Sequence, residues 1–390
     1  MRNFGSLNAV TCTCPSHFTQ PMKETDKPII GISHGDINGV GYEVIIKTLS
    51  DPRLPEMCTP VIYGSAKILT AYRKMLGLPN LPVNVIQQVQ EAKPGAVNVI
   101  NVIPDDTRID PGQSTPEGGS AAYAALESAV TDLHAGAIDA LVTAPINKAN
   151  IQSSTFTFPG HTEYLEASLG EGSEKALMIL YNEVVKVALV TTHLPLSRIP
   201  SAITKDAIME KLRIFDTSLR RDFGIVHPRI AVLSLNPHAG DGGLLGTEER
   251  DIIIPAIEEA RKERIECFGP YAADGFFGHG LFKNFDGVLA MYHDQGLAPF
   301  KAIAGGSGVN FTAGLPAVRT SPDHGTGYDI AGRGEADETS FRQAIYEAID
   351  ICSHRDSYDA ATANPLKKVF HEKNTKDNVV LDLTKDTDED

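Results

Sequence analysis

Short apolar segments that resemble β-strands alternate with longer amphipathic segments from Pro28 onward. The strand-like segments are Ile29–Ile32, Pro60–Tyr63, Val97–Ile103, Ala137–Thr143 and Lys186–Val190. The helix-like segments are Tyr42–Leu49, Gly118–Leu133, Lys205–Leu219, Thr247–Arg264 and Thr339–Cys352. Strands that alternate with helices predict an α/β fold with a mostly parallel, buried sheet.

Three strand-like segments lead directly into a histidine. Val187–Thr192 is followed by His193, Ile230–Pro237 by His238, and Asp286–Tyr292 by His293. Open α/β folds bind ligands at the carboxyl ends of their strands. A single histidine there is more often structural, but three together predict a metal site, because three imidazoles leave one coordination position open for substrate. Asp294 and Asn236 are placed to orient these rings.

Several polar residues are candidates for anion binding. His161 and Thr162 stand at the predicted start of a helix, where Thr can cap and free N–H groups attract phosphate or carboxylate. Lys301, Asn310 and Arg319 follow the His293 strand, and each could hold an anionic oxygen. Taken singly, each also fits a structural role.

The glycine-rich segments do not match nucleotide or nucleophile motifs. Gly35–Gly41 would need a small residue at Val44 to give the dinucleotide fingerprint, so it predicts a tight strand-to-helix turn near an active site. Gly305–Val309 lacks the last glycine of a nucleophile elbow. Asp323–Gly334 combines glycines with His, Thr and Asp, which indicates either a loop that approaches a ligand closely or a structural turn.

Length and composition limit the function further. The 390 residues suit two lobes, and the net charge of -15 argues against nucleic-acid binding while allowing an anionic small substrate. No segment approaches the roughly 18 apolar residues that span a bilayer. Five cysteines, an odd number, predict a reduced, cytoplasmic setting.

The chain ends differ from the alternating region. Residues 1–27 are aperiodic and predict a disordered leader, in which Cys12, Cys14 and His17 form only a weak metal motif. Residues 371–390 predict a solvated acidic tail. Because no linker divides the remainder, we expect discontinuous lobes: residues 28–150 with 310–370, and residues 151–309.

Seven segments, in this order, resemble the 4-hydroxythreonine-4-phosphate dehydrogenase family of pyridoxal phosphate biosynthesis. They are Gly35–Glu43, Val142–Lys148, Gly160–Glu163, Thr191–Pro195, Leu235–Gly243, Ala290–Leu297 and Arg319–Thr326. The loop His324–Gly334 is also similar to the adenosine-binding loop of isocitrate and isopropylmalate dehydrogenases. The resemblance implies their two-lobed, non-Rossmann fold, with the active site in the cleft between lobes.

The same resemblance implies a set of roles for individual residues. One divalent metal (zinc, magnesium or cobalt) would be shared across a homodimer interface, and NAD would lie on the later segments and not on the first glycine loop. The implied metal ligands are His193, His238 and His293. The implied substrate contacts are His161, Thr162, Lys301, Asn310 and Arg319, and the implied cofactor contacts are His324, Gly325, Thr326 and Asp329. Lys301 and Asp294 are the candidate proton carriers. Departures from the family pattern occur at Ile37, Asn38, Tyr42 and Gly327.

The implied reaction is NAD-dependent oxidation of 4-phosphohydroxy-L-threonine to 2-amino-3-oxo-4-phosphooxybutanoate, which loses carbon dioxide to give 3-amino-2-oxopropyl phosphate. Related enzymes act on 4-phospho-D-threonate, 4-phospho-D-erythronate or cyclic diol carboxylates, and the sequence separates these substrates poorly. A three-histidine metal-dependent hydrolase is an alternative from another class. It would not need the cofactor-like glycine loop. A non-catalytic binding protein is the remaining alternative.

Overall fold

The structure is a computed structural model that describes residues 27–170 and 175–365. The predicted leader (apart from Lys27), with Cys12, Cys14 and His17, and the predicted acidic tail at 371–390 lie outside the described residues. Within the described ranges, no helix is both long and apolar enough to cross a membrane.

The described residues form an α/β fold, as the alternating pattern predicted. The strands are β1 Ile29–Ser33, β2 Thr59–Gly64, β3 Val83–Ile86, β4 Val97–Asn101, β5 Ala140–Thr143, β6 Leu177–Tyr181, β7 Lys186–Leu189, β8 Ile230–Leu233, β9 Cys267–Tyr271, β10 Gly287–Ala290, β11 Val309–Ala313 and β12 Val318–Pro322. The helices are α1 Gly41–Leu49, α2 Leu54–Met57, α3 Ala66–Met75, α4 Pro116–His134, α5 His161–Leu169, α6 Ile199–Ala202, α7 Lys205–Arg221, α8 Ile254–Lys262, α9 Ala273–Gly278, α10 His293–Ala304 and α11 Thr339–Thr362.

All of these strands belong to one mixed sheet, in the order β3-β4-β2-β1-β5-β12-β11-β6-β7-β10-β8-β9. The six strands from β3 to β12 are mutually parallel, and so are the four from β7 to β9. Three antiparallel pairings, β12–β11, β11–β6 and β6–β7, lie between these groups and reverse the strand direction. The sheet is thus mostly parallel, as predicted. The strands of the two predicted lobes lie mainly in different halves of the sheet, while the division into two domains stays a prediction.

The two faces of the sheet are packed differently. One face carries a single apolar cluster that extends across both halves and includes Ile32, Phe311 and Phe341. The opposite face carries two separate clusters, one around α4 and α5 and one around α9 and α10. A strand exposes successive side chains to opposite faces. Between those two clusters, the central strands can therefore direct polar side chains to one face while they bury apolar side chains on the other.

Strand β11 shows how this alternation arises. Val309, Phe311 and Ala313 are fully buried in the shared cluster. Asn310 and Thr312 point to the other face, and the neighbouring strand β12 places Arg319 there as well. This polar face at the reversal of strand direction is the place where open α/β sheets commonly bind ligands.

Some elements differ from the predictions. The segment predicted as one helix over Thr247–Arg264 contains a π-helical stretch, Glu249–Ile253, before α8 begins at Ile254. Strands β3, β6, β9, β11 and β12 were not predicted from their sequences. Most of them carry polar or aromatic residues that interrupt a simple apolar run.

Candidate active site

A cavity of about 230 Å³ lies on the polar face of the central strands, between the start of α5 and helix α10. Residues from both predicted lobes line it. They are Lys148, Gly160, His161, Thr162, Glu163, Met178, Leu180, His193, His293, Leu297, Lys301, Asn310, Arg319 and Asp323. The cavity therefore gathers all five predicted substrate contacts and two of the three predicted metal ligands.

Arg319 is a buried cation at the base of this cavity. Its guanidinium donates to the hydroxyl of Thr143 from Nη2 at 2.6 Å and from Nε at 3.1 Å, and to Thr312 at 3.2 Å. Burial lowers the pKa of Arg319 to about 9, and the carboxylate of Glu163 opposes that shift. In the described ranges all its hydrogen bonds go to neutral hydroxyls, so its charge remains available to an anionic ligand.

Two buried polar atoms of the cavity have no hydrogen-bond partner. They are Nε2 of His161 and Oδ1 of Asn310. Burial, followed by the charges of Arg319 and Lys148, lowers the pKa of His161 well below its usual value, which keeps the ring neutral. Buried polar groups are normally hydrogen-bonded, so these two atoms point to a polar ligand.

Thr162 was predicted as a possible helix cap, and this is wrong. The N-cap of α5 is Gly160, and no side chain caps the helix. Thr162 lies in the first turn instead and lines the cavity. The free N–H groups of this turn remain open to an anion.

His193 and His293 approach each other across the cavity. Their ring centroids are 6.0 Å apart, with the planes tilted by 41°. Burial, followed by the charge of Lys148, lowers the pKa of His193, which favours the neutral form that binds metals. His293 Nδ1 lies 2.8 Å from a carboxylate oxygen of Asp294, an arrangement that fixes the orientation of a ligating ring.

His238 does not line this cavity. It is exposed, and it belongs to a turn, Pro237–Gly243, in which His238 itself (φ 52) and four following residues have left-handed backbone angles. Buried Glu249 holds this turn by accepting from the backbone N–H groups of Leu235 and Asn236 at 2.8 and 2.7 Å. Within residues 27–170 and 175–365, no three His, Cys, Asp or Glu side chains are arranged to hold a metal. One chain thus places two of the three predicted ligands together.

The two candidate proton carriers have different surroundings. Lys301 lines the cavity, and its Nζ lies 3.3 Å from a carboxylate oxygen of Asp323. Asp294 has 80% of its side chain exposed and does not line the cavity. Its geometry suits orientation of His293 better than contact with a substrate.

A second cavity, of about 270 Å³, adjoins the predicted cofactor loop. His324 and Gly325 line it, together with Val40 of the first glycine loop, and Asp323 lines both cavities. His324 Nε2 is buried without a partner, which fits a hydrogen bond to a ligand. Thr326 and Asp329 do not line this cavity.

The first glycine loop packs directly against the cofactor loop. The N–H of Val40 donates to the carbonyl of Thr326 at 2.9 Å. A Cβ atom on Gly39 would stand 2.6 Å from that same oxygen, so only glycine fits. The predicted tight turn therefore acts as a support and supplies one apolar wall of the cavity.

Three charged cavity residues were not singled out from the sequence: Lys148, Glu163 and Asp323. Each lies within or next to a segment that resembles the family. Asp323 directly follows β12 and Glu163 lies in the first turn of α5, and these positions could have identified both residues. Lys148 lies in a turn and carries no such signal.

The chain is similar to known proteins over most of its length. The family model for the pyridoxal phosphate biosynthetic protein PdxA matches residues 56–348. A 4-hydroxythreonine-4-phosphate dehydrogenase of Bacteroides thetaiotaomicron is 57% identical over 350 residues, which are 90% of this chain and 96% of the relative. An enzyme of that name from a Sulfurihydrogenibium species is 42% identical, over 82% of this chain and 97% of the relative.

Solved structures of related dehydrogenases are also similar to this chain over most of its length. The 4-hydroxythreonine-4-phosphate dehydrogenase of Klebsiella pneumoniae has a TM-score of 0.75 at 35% identity, covering 85% of this chain and 99% of that one. A terephthalate 1,2-cis-dihydrodiol dehydrogenase of Burkholderia xenovorans has a TM-score of 0.57 at 25% identity, covering 83% of this chain and 98% of that one. The extent of these matches and the shared fold show that the chain belongs to the family of the pyridoxal phosphate biosynthetic protein PdxA.

Proposed function

We propose that this protein is an NAD- and divalent-metal-dependent dehydrogenase that oxidises 4-phosphohydroxy-L-threonine in the synthesis of pyridoxal 5'-phosphate. The observation that carries the proposal is the 57% identity to the Bacteroides 4-hydroxythreonine-4-phosphate dehydrogenase over 90% of this chain. The charged cavity supports it independently.

The cavity suits a substrate that carries two anionic groups. Lys148, Lys301 and Arg319 provide three cationic side chains, against the carboxylates of Glu163 and Asp323. Arg319 and the start of α5 lie in one cavity with the unpartnered atoms of His161 and Asn310. Together these groups would bind the phosphate and carboxylate of the substrate and so fix the position of its hydroxyl.

Bound metal would supply Lewis acidity that lowers the pKa of the substrate hydroxyl. His193 and His293 fit as two neutral nitrogen donors, and we assign the third position to His238 of the partner subunit. Exposed leucines lie near His193 and His238 in the sequence: Leu194 and Leu196 are 41% and 71% exposed, and Leu244 is 79% exposed. A homodimer that covers them would bury apolar surface while it completes the site.

Bound NAD would accept the hydride from the substrate carbon. The second cavity fits the cofactor because His324 Nε2 needs a partner and Asp323 connects this cavity to the substrate cavity. We retain Thr326 and Asp329 as cofactor contacts in the proposal, although their neighbours Gly325, Gly327 and Ile330 line the cavity and they do not.

Lys301 is the proposed proton carrier of the reaction. Of the two candidates it alone lines the cavity, so its ammonium can donate the proton that the product takes up after decarboxylation. Oxidation would remove a hydride from the substrate carbon, which bound NAD⁺ would accept, and would release the hydroxyl proton. The β-keto acid formed then loses carbon dioxide and takes up one proton.

A substrate panel tests the proposal. NADH absorbance is followed with 4-phosphohydroxy-L-threonine, 4-phospho-D-threonate or 4-phospho-D-erythronate, each with NAD and a divalent metal. We expect turnover with the amino acid and its loss after chelation. Turnover of only the sugar acids would reassign the substrate, and hydrolysis without NADH would support the three-histidine hydrolase.

A further inference from the structure

We infer that Asp323 is a positioning residue that holds the Lys301 ammonium at the junction of the substrate and cofactor cavities. This inference rests on the proposed function and adds a residue that was not among the candidate site residues. Its basis is the position of Asp323, its contact with Lys301 and the charge balance of the cavity.

The backbone fixes the position of Asp323 directly after β12. Its N–H donates to Ser340 Oγ at 3.0 Å and to the carbonyl of Gly308 at 3.3 Å. Ser340 in turn donates to the same carbonyl at 2.6 Å. Helix α11 and the start of β11 therefore hold the residue in place. From there its side chain lines both cavities.

The contact with Lys301 joins a rigid group to a flexible one. Only 18% of the Asp323 side chain is exposed, whereas 56% of the Lys301 side chain is exposed, and the two charged atoms are 3.3 Å apart. No other side chain in the described ranges forms an ion pair with Lys301. Burial raises the pKa of the Asp323 carboxyl, and the Lys301 ammonium opposes that shift. Fixing a long lysine side chain costs rotamer entropy, so a favourable contact must offset that cost. The largely buried carboxylate of Asp323 provides this contact.

Loss of this carboxylate should lower kcat without weakening substrate binding. The cavity would keep Lys148, Lys301 and Arg319 and lose one of its two negative charges, so an anionic substrate should bind as well as before or more tightly. Lys301 would lose its anchor, however, and small displacements of a reacting group are costly to rate. A purely structural role would weaken binding and turnover together.

The test is Asp323→Asn, which keeps the shape of the side chain and removes its charge. We expect kcat to fall on the order of 10²-fold. The dissociation constant of 4-phosphohydroxy-L-threonine, measured calorimetrically without NAD, should stay unchanged or decrease. Asp323→Glu should restore part of kcat.

Asp337→Asn is the matched control, because Asp337 lines the second cavity but not the substrate cavity. At saturating NAD its kcat should fall far less than that of Asp323→Asn, whatever its effect on the KM for NAD. A near-normal kcat for Asp323→Asn, or substrate binding that weakens in parallel with kcat, would overturn the inference. If the wild type reduces NAD with none of the panel substrates, the proposed function fails and the inference fails with it. If the wild type is active, the kcat and substrate dissociation constant of the Asp323 variants alone test the inference.

Discussion

The guanidinium of Arg319 on β12 donates to the hydroxyl of Thr143 at the end of β5, with 2.6 Å between Nη2 and Oγ1. A neutral hydroxyl orients the buried cation without neutralising it. Charge that a protein buries without a partner is costly, and a ligand that supplies the opposite charge recovers part of that cost. This pair therefore makes the cavity selective for an anion.

Arg319→Lys should weaken substrate binding while the protein stays folded. Lysine retains the charge but cannot make the forked contact, and a hydrogen bond to a charged group is worth about 1.5–3 kcal/mol. We expect the KM for 4-phosphohydroxy-L-threonine to rise by about ten- to a hundred-fold. Arg213→Lys, at an exposed arginine paired with Glu263, is the control and should leave the KM unchanged. An unchanged KM for Arg319→Lys would remove Arg319 from the substrate site.

Gly39→Ala should affect the cofactor and not the substrate. The added methyl group would stand 2.6 Å from the carbonyl oxygen of Thr326 and displace the loop that carries His324. Overpacking of this kind costs about 1–3 kcal/mol, so the KM for NAD should rise by about ten-fold or more. The substrate dissociation constant without NAD should not change. Gly278→Ala, where a Cβ meets no atom within 4 Å, is the control. Equal effects of the two variants would contradict a role for Gly39 in supporting the cofactor loop.

We expect the free energy of unfolding to decrease under mildly acidic conditions because His34 is buried. Its ring is fully buried, stacks on Tyr42 with centroids 5.0 Å apart, and has no hydrogen-bond partner at either nitrogen. Burial lowers the pKa of His34 to about 4. The unfolded chain binds a proton near pH 6.5 and the folded chain does not, so the His34 contribution is constant above pH 6.5 and is lost as the pH falls towards 4. The slope is about 1.4 kcal/mol per pH unit.

His34→Phe should remove this part of the slope. Phenylalanine keeps the stacking on Tyr42 and has no ring nitrogen to protonate or leave unsatisfied. The free energy of unfolding is measured by denaturant titration between pH 8 and 4.5. Its slope against pH should decrease by the contribution of about one bound proton. Buried His161 should still contribute, since its pKa is also lowered. His227→Phe, at an exposed position, should change nothing, and an identical slope for His34→Phe would contradict the assignment.

The sequence predicted most of the parallel strands, because segments such as β1 and β10 are short apolar runs typical of buried sheets. It missed β11 and β12, where Asn310, Thr312 and Arg319 interrupt the apolar pattern to face the cavity. The single continuous sheet was also beyond prediction, since it depends on long-range antiparallel pairings such as Asn310 with Leu180.

The candidate site was predicted in the same uneven way. Seven of the predicted site residues line one cavity, and their roles there stay predictions. Asn310 and Arg319 reach it from strands, whereas α5 and α10 supply four of the others. The separate location of His238 follows from a left-handed turn that includes non-glycine residues, and spacing along the chain does not encode that geometry. Asp323 was missed because the strand that it follows, β12, was itself not predicted. Lys148 was missed because a single charged residue in a turn carries no pattern.

Replacement of His193, His238 or His293 by alanine should each abolish turnover and reduce bound metal, measured by elemental analysis. A mixture of the His193→Ala and His238→Ala proteins, unfolded and refolded together, should regain activity. If each site takes His193 and His293 from one subunit and His238 from the other, mixed dimers retain one intact site, and about a quarter of wild-type activity should return. No recovery would place all three ligands in one subunit or remove one of them from the site.

The most direct measurement follows NADH absorbance and carbon dioxide release together, with 4-phosphohydroxy-L-threonine, NAD and a divalent metal, before and after chelation. We expect each substrate molecule consumed to give one NADH and one carbon dioxide, and the chelator to abolish both. Substrate consumption without NADH, or NADH formation that survives complete metal removal, would contradict it.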